Sequence, residues 1–177
     1  MRKNSFAGPL AFMAACAAAG WLYFTPHLAL QRLQAAAESG DDAALREMVD
    51  FPAVRASLKE EVRGVIATEM ERDGKRSAFS ALGAALAGMM VDPLVDSFVT
   101  PAGIAAAARG ERPGSKGEGA VNEAAEDVDI ARGYEGANRF VVHFRDRDDG
   151  DERIALVMVR DGVAEWKLTA IRLGARE

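Results

Sequence analysis

The densest group of charged side chains runs from Arg145 to Glu152, and its composition invites comparison with a calcium-binding loop. Such loops place carboxylates at alternate positions and a glycine at the sixth position. When Gly150 takes the sixth position, Arg145 and Arg147 fall at the first and third, where a bound cation would be repelled. The pattern therefore predicts a solvated hairpin tip and no metal ligand.

His143 and His27 are the two histidines of the sequence. His143 lies in an alternating run, on the face opposite Phe140 and Val142. A general base needs a partner at hydrogen-bond distance, and the sequence identifies no such partner for His143. We therefore expect an exposed or half-buried strand residue. The alternative is an acid/base pair between His143 and a nearby Asp or Glu, in a pocket of the curved sheet.

Other motifs of enzyme chemistry are missing from the sequence. No serine lies in a G-x-S-x-G turn, and the single cysteine, Cys16, lies in an apolar segment. No G-x-G-x-x-G follows a strand, and there is no Gly-Lys-Ser/Thr phosphate loop. The adjacent carboxylates of Asp41-Asp42 and Glu60-Glu61 point about 100° apart on a helix, which suits capping and solvation. The sequence therefore predicts no enzyme activity and no catalytic, cofactor-binding or metal residue.

A charge-free apolar segment opens the chain. No Asp, Glu, Lys or Arg lies between Lys3 and Arg32, and residues 5–24 supply the roughly 20 positions that a helix needs to cross a membrane. Aromatic rings at its far end suit the membrane interface; they belong to Trp21, Tyr23 and Phe24. A basic pair precedes it, which keeps the N-terminus in the cytoplasm. We predict a transmembrane signal anchor at residues 1–26 with a single-pass topology and residues 27–177 outside the cytoplasm; in a bacterium, these are the inner membrane and the periplasm.

Three other fates of this segment remain open. Ala17-Ala18-Ala19 offers small residues at which a secretory signal could be cleaved. Met13-Ala14-Ala15-Cys16 resembles a lipoprotein signal that would be lipidated at Cys16, although methionine fits its first position poorly. The segment could also be a buried helix of a soluble protein, with Cys16 as a small apolar residue.

Helical periodicity extends through residues 27–109. Thr25-Pro26 predicts a break before it, because proline lacks the backbone N–H that continues a helix. Capping, glycine and proline signals divide the rest into short helices; we predict them at residues 28–39, 41–49, 52–72, 77–92, 93–99 and 100–109. Residues 110–122 are rich in glycine and charge and have no apolar period, which predicts a flexible linker.

Period-two alternation replaces the helical period in residues 123–177 and predicts an antiparallel meander of about four strands. Asp161-Gly162 is a tight hairpin signal between two of these runs. A lone sheet cannot bury an apolar face, so the helices must cover it. The predicted fold class is therefore α+β: an N-terminal transmembrane helix, then several helices packed on a C-terminal β-meander.

Trp166 alternates in phase with Leu168, just after the predicted hairpin. Large aromatic residues at this spacing are typical of the inward face of a sheet. We therefore expect Trp166 to be buried under the helical layer, in contact with Leu58 or Val62 of the long helix.

The charge of the chain argues against nucleic acid as a partner. Removing the two N-terminal cations, Arg2 and Lys3, from the formal net charge of −5 leaves −7 on the remainder. A domain of this sign repels phosphate backbones, and the sequence has no basic stripe with interleaved aromatics. We predict no nucleic-acid binding.

Several stretches resemble a known family. Its opening is matched by Pro26–Leu30, Gly40-Asp41 and Val49–Arg55, and its closing part by Leu156–Gly162 and Trp166–Thr169. The chain resembles the bacterial domain-of-unknown-function family numbered 2939, which implies a membrane-anchored envelope protein of uncharacterised role and supplies no catalytic residue. The order of helices and meander is also similar to the cone-shaped folds related to nuclear transport factor two, an analogy that settles no function.

These observations predict a non-enzymatic binding or interaction module of the cell envelope. Its expected partners are the membrane, through residues 5–24, and an envelope protein or a lipid held between sheet and helices. The rival hypothesis is a small envelope enzyme that uses His143 in an acid/base pair.

Overall fold

The computed structural model of the chain describes residues 7–72, 78–108, 128–148 and 150–174. Within these ranges, five helices precede a four-stranded antiparallel sheet. The helices are α1 (Ala7–Ser39), α2 (Asp42–Met48), α3 (Phe51–Arg72), α4 (Ala78–Phe98) and α5 (Pro101–Ala108). The strands are β1 (Val128–Gly136), β2 (Arg139–Asp146), β3 (Glu152–Asp161) and β4 (Glu165–Leu173), in the spatial order β1-β2-β3-β4. The predicted order of helices and meander is confirmed.

Helix α1 differs from the prediction. The break expected at Thr25-Pro26 is wrong, because Pro26 lies inside a helix that continues to Ser39. The predicted transmembrane helix of residues 1–26 is not confirmed: among the described residues, no helix combines the length and apolarity needed to cross a membrane. The helix runs on through the charged residues Arg32 and Glu38, and its second half packs into the domain.

The capping signals of the shorter helices were predicted correctly. The Asp41 carboxylate accepts hydrogen bonds from the backbone N–H groups of Ala43 and Ala44, both at 3.1 Å, which caps α2. The Thr100 hydroxyl accepts from the N–H of Gly103 at 3.0 Å and caps α5. Helix α3 has the predicted extent to within one residue.

The sequence pattern predicted that one helix ends before Pro93. This prediction is wrong, because helix α4 continues through Pro93 to Phe98. Proline frees the carbonyl four residues earlier, at Met89. Met89 and Pro93 are both exposed, so water can satisfy that carbonyl. At the far end of α4, the Arg55 guanidinium donates two hydrogen bonds to the carbonyl of Val99, at 3.1 and 2.9 Å. Helices α3 and α4 are therefore joined by a cap that the sequence did not reveal.

Two buried clusters join the helices to one face of the sheet. The larger one gathers side chains from all five helices around β4; its buried members include Leu33, Leu45, Val54, Val91, Ala105 and Leu168. The second cluster sets α1 against β2, β3 and β4 and consists of Leu30, Phe140, Val142, Met158 and Trp166. The helical layer therefore covers the predicted inward face.

The opposite face of the sheet is curved. It carries a small buried cluster of Val141, Ala155 and Val157. Arg172 of β4 donates to the Glu135 carboxylate of β1, at 3.1 and 3.3 Å, although these strands form the two edges of the sheet. An ion pair between edge strands requires the sheet to curl toward this outer face.

Trp166 is buried, with 3% of its surface exposed, as predicted. Its expected contact with Leu58 or Val62 is wrong: those residues lie beside the larger cluster, whereas Trp166 packs in the cluster of Leu30 and Phe140. The reason is the continuity of α1, which brings its own second half over this part of the sheet. The predicted linker, residues 110–122, lies outside the described residues.

Candidate functional site

The first half of α1, residues 12–24, is called here the apolar half. Five of its large side chains are between 57% and 71% exposed; they are Phe12, Met13, Trp21, Tyr23 and Phe24. No charged residue interrupts the helix before Arg32. Scattered apolar residues on a surface are ordinary, but a contiguous group marks contact with a membrane or a partner. The apolar half is therefore the first candidate surface.

A hydrogen-bond relay holds α1 where the apolar half leaves the domain. Pro26 cannot donate to the carbonyl of Leu22, four residues earlier. The Thr25 hydroxyl donates to that carbonyl instead, at 2.8 Å. The indole Nε1–H of Trp166 donates to the Thr25 oxygen, also at 2.8 Å. Thr25 is 4% exposed, so the sheet fixes the helix through a buried contact that replaces the bond lost at the proline.

Aromatic rings strengthen this junction. The Tyr134 hydroxyl donates to the Tyr23 carbonyl at 2.7 Å, and their ring centroids lie 5.4 Å apart. Burial raises the pKa of Tyr134, an effect that the nearby Arg160 partly offsets, so the phenol remains a donor at neutral pH. The His27 ring lies 4.9 Å from that of Phe140, and its buried Nδ1 has no hydrogen-bond partner within the described residues.

An open cleft of about 910 Å³ lies between α1, α2 and the turn that joins β3 to β4. We call it the α1–α2 cleft. Trp21 stands at the end of the cleft nearest the apolar half, and much of the wall is apolar; it includes Leu28, Ala29, Ala36, Ala44, Met48 and Trp166. The volume falls within the range of roughly 300–1,000 Å³ that is usual for small-ligand sites.

The charged residues on this cleft are of both signs. They are Arg32, Asp41, Arg46, Glu47, Glu165 and Lys167. The Asp161 carboxylate binds Lys167 at 2.5 Å and raises the pKa of that amine. The guanidinium groups of Arg32 and Arg46, in contrast, have no ion pair or hydrogen bond within the part of the chain that the structure describes. Two unpaired cations therefore stand beside an apolar wall.

His143 lies on the outer face of the sheet, opposite the helices, as the alternation predicts. It is half-buried, and its Nδ1 lies 2.5 Å from the Glu152 carboxylate. The sequence did not reveal this partner because the ladder is irregular: Arg145 pairs with Glu152, where a regular register would pair it with Arg153. His143 does not line the α1–α2 cleft.

Charged side chains of the hairpin between β2 and β3 make hydrogen bonds within the hairpin itself. The Asp146 carboxylate accepts hydrogen bonds from Arg153 and from the backbone N–H of Asp148. The hydrogen bond from Arg153 is the main reason that the pKa of Asp146 is lowered. Across the described ranges, no group of three or more potential ligands could hold a metal ion. The structure therefore gives no support for a calcium loop.

The fold and these surfaces define a small α+β domain with an apolar helical extension. Residues 15–107 match the profile of a family described as "Protein of unknown function (DUF2939)". The match covers more than half of the chain, so the chain belongs to this family, as the resemblance predicted. The opening stretches of the predicted resemblance lie inside the match, and its closing stretches, Leu156–Gly162 and Trp166–Thr169, lie outside it. The matched part includes both arginines of the cleft and ends before the sheet. Comparison with curated proteins and with solved structures found no match.

Proposed function

We propose that the chain is a non-enzymatic binding module of the bacterial cell envelope, held in the inner membrane by residues 5–24. In this proposal the helix crosses once, with its N-terminus in the cytoplasm and residues 27–177 in the periplasm. The module presents the α1–α2 cleft beside the membrane surface and binds an envelope partner there.

The exposure of the apolar half of α1 is the observation that supports this proposal most strongly. Phe12 and Met13 are 71% and 68% exposed, and no charge separates Lys3 from Arg32. Leaving such side chains in water costs roughly 1.5–3 kcal/mol each relative to burial, so a lipid environment stabilises them. Because the described ranges begin at Ala7, the proposal rests on the sequence of the whole segment together with the exposure of its described part.

A pair of matched charge insertions tests the anchor. Ala15→Lys with Ala18→Lys places two charges at exposed positions of the apolar half. Ala56→Lys with Ala67→Lys places the same charges at exposed positions of α3. A charge at the centre of a bilayer costs roughly 2.5–3.5 kcal/mol on insertion scales. We expect the wild type and the α3 variant to stay in membranes through a carbonate wash, and the α1 variant to appear in the soluble fraction.

Equal partitioning of the two variants would contradict the anchor, and so would recovery of wild-type, full-length protein in the soluble fraction. Intact mass is measured on the same samples. A mass that lacks the N-terminal residues would identify a cleaved signal, and a lipid adduct on Cys16 would identify a lipoprotein; either result replaces the proposed single-pass anchor.

The position of the cleft supports a binding role. Trp21 and Leu28 connect its wall to the apolar half, while its floor reaches Trp166 at the sheet. The His143–Glu152 pair lies on the other face of the sheet and cannot act on a ligand in this cleft. Capture from detergent-solubilised membranes with wild type and Ala35→Phe, which fills the cleft from an exposed position, tests the role. A partner lost in Ala35→Phe supports it; a partner retained at equal yield contradicts it.

One observation favours a second candidate, the small envelope enzyme. His143 Nδ1 lies within hydrogen-bond distance of Glu152, as an acid/base pair requires. In this hypothesis Glu152 orients the imidazole and Nε2 exchanges the proton. A panel of ester, amide and glycoside substrates, assayed with wild type and Glu152→Gln, tests it. A turnover that the variant loses supports the enzyme, and equal rates in both proteins contradict it.

A further inference from the structure

The α1–α2 cleft begins at an apolar end. Trp21 and Leu28 form the end beside the apolar half, and the next charged residue along α1 is Arg32. Arg32 lies 11 residues after Trp21, or about 16 Å along the helix at about 1.5 Å per residue. One leaflet of a membrane is about 15 Å of hydrocarbon, taken as half of the roughly 30 Å core. The stretch of the cleft between Trp21 and Arg32 therefore has the length of one lipid chain, and the cleft continues along α1 to Ser39.

The charges that line the rest of the cleft match a phospholipid headgroup. Arg32 and Arg46 are unpaired within the described residues and can donate to a phosphate, for which arginine has a suitable fork of donors. Lys167, which also lines the cleft, is paired with Asp161. The carboxylates of Asp41, Glu47 and Glu165 line the cleft as well. They would repel a second negative charge and attract an ammonium group. This arrangement suits a phosphate and an amine on one headgroup.

The geometry points to a lipid site: the α1–α2 cleft holds one acyl chain of a phosphoethanolamine phospholipid taken from the adjacent leaflet. The chain lies on Leu28, Ala29 and Trp166, with its end toward Trp21. The phosphate is bound by Arg32 and Arg46. The inference rests on the proposed function, because the apolar half must bring the cleft to the membrane before a lipid can enter it.

The two tryptophans of the sequence allow the anchor and the cleft to be tested separately. Trp166→Phe leaves Trp21, which reports contact of the apolar half with lipid. Trp21→Phe leaves Trp166, which lies on the wall of the cleft. Each full-length variant is reconstituted in phosphatidylcholine nanodiscs with increasing amounts of phosphatidylethanolamine brominated on its acyl chains. Bromine quenches tryptophan fluorescence at contact distance.

We expect both tryptophans to be quenched. Quenching of Trp21 alone overturns the lipid site and leaves the anchor intact. Quenching of neither tryptophan, or failure to enter the nanodiscs, overturns the proposed anchor. Quenching of Trp166 without quenching of Trp21 contradicts the anchor, and with it the route by which the lipid is proposed to enter the cleft.

Three variants test the details in the Trp21→Phe background. Arg32→Gln removes a charge-assisted hydrogen bond and should raise the brominated-lipid fraction at half-maximal quenching about tenfold, whereas Arg32→Lys should raise it less. Ala35→Phe fills the cleft from an exposed position and should abolish quenching of Trp166. Its melting temperature, compared with that of the parent, shows that the fold is retained. Unchanged quenching in both Arg32→Gln and Ala35→Phe would overturn the site, and tighter binding of brominated phosphatidylglycerol would overturn the headgroup assignment.

Discussion

Removing the hydroxyl of Thr25 tests how the sheet holds α1 at its proline. Thr25→Val keeps the shape of the side chain and removes the group that links Leu22 to Trp166. The buried indole N–H then has no acceptor, which costs about 1–3 kcal/mol, and the half-buried carbonyl of Leu22 loses its replacement donor. We expect the free energy of unfolding to fall by about 2–4 kcal/mol in total. Thr25→Ser retains the hydroxyl and should lose only about 1 kcal/mol for the methyl group.

The assay is reversible urea unfolding of the full-length protein in detergent, followed by far-ultraviolet circular dichroism. A double-mutant cycle with Trp166→Phe isolates the bond between the two side chains. The Trp166→Phe protein has no indole at this site that could lose its acceptor. The loss of unfolding free energy caused by Thr25→Val should therefore be about 1–3 kcal/mol smaller in Trp166→Phe than in the wild type. Thermal melts give a second reading, since 1 kcal/mol moves the midpoint of a domain of this size by about 2–4 °C.

Two results would refute this reasoning. Thr25→Val and Thr25→Ser with the same stability would show that the hydroxyl contributes nothing. A coupling energy below about 0.5 kcal/mol would show that Trp166 and Thr25 act independently, since additivity within that margin is normal for unconnected sites.

Three further changes test other parts of the fold. Leu45→Ala empties a fully buried position and should lower the free energy of unfolding by about 2–5 kcal/mol in urea titrations; a loss under about 1 kcal/mol would contradict the assigned core. Arg55→Gln should lower the free energy of unfolding by about 1–3 kcal/mol, because it removes the cap of α4. The control Arg63→Gln removes an exposed ion pair and should lower it by at most about 1 kcal/mol. Equal losses of stability in the two variants would contradict the cap. Because the pKa of Asp146 is lowered, its contribution to stability is present above the unfolded-state pKa and is lost as pH falls through the folded-state pKa. In Arg153→Gln, the pKa of Asp146 measured by carbon-13 titration should rise toward its ordinary value. An unchanged pKa in this variant would contradict the pairing.

Local patterns predicted the elements well where the relevant physics is local. The carboxylate at Asp41 and the hydroxyl at Thr100 act on backbone groups two or three residues away, so their roles as caps follow from the sequence. The alternation around Phe140 likewise follows from the period of a strand. The sequence also carries the family resemblance that the match over residues 15–107 confirms.

The prolines were misjudged because their compensation is not local. Pro26 stays inside α1 since the Thr25 hydroxyl replaces the lost donor, and that hydroxyl is held by Trp166, 141 residues away in sequence. Pro93 stays inside α4 at an exposed position, where the carbonyl that it frees is accessible to water. No sequence pattern distinguishes these cases from a proline that ends a helix.

The candidate sites depend on tertiary contacts even more strongly. The α1–α2 cleft exists because α1 continues past Pro26 and lies against α2. The cleft could not be predicted from the sequence, because the sequence pattern predicted a helix break at Pro26. The contact between His143 and Glu152 depends on a register irregularity that alternation cannot reveal. The predicted contact between Trp166 and Leu58 was wrong, because long-range packing decides whether α1 or α3 covers this part of the sheet.

The proposed anchor is tested most directly by the reactivity of Cys16, the only cysteine of the sequence. A membrane-impermeant maleimide is applied to sealed spheroplasts that carry the wild-type chain. The matched control carries Cys16→Ala with Val163→Cys, which places a thiol on a turn residue that is 77% exposed. We predict that the control thiol is labelled from the periplasmic side and that Cys16 is labelled only after detergent is added. Labelling of Cys16 at the rate of the control, before detergent, would contradict a membrane-held module.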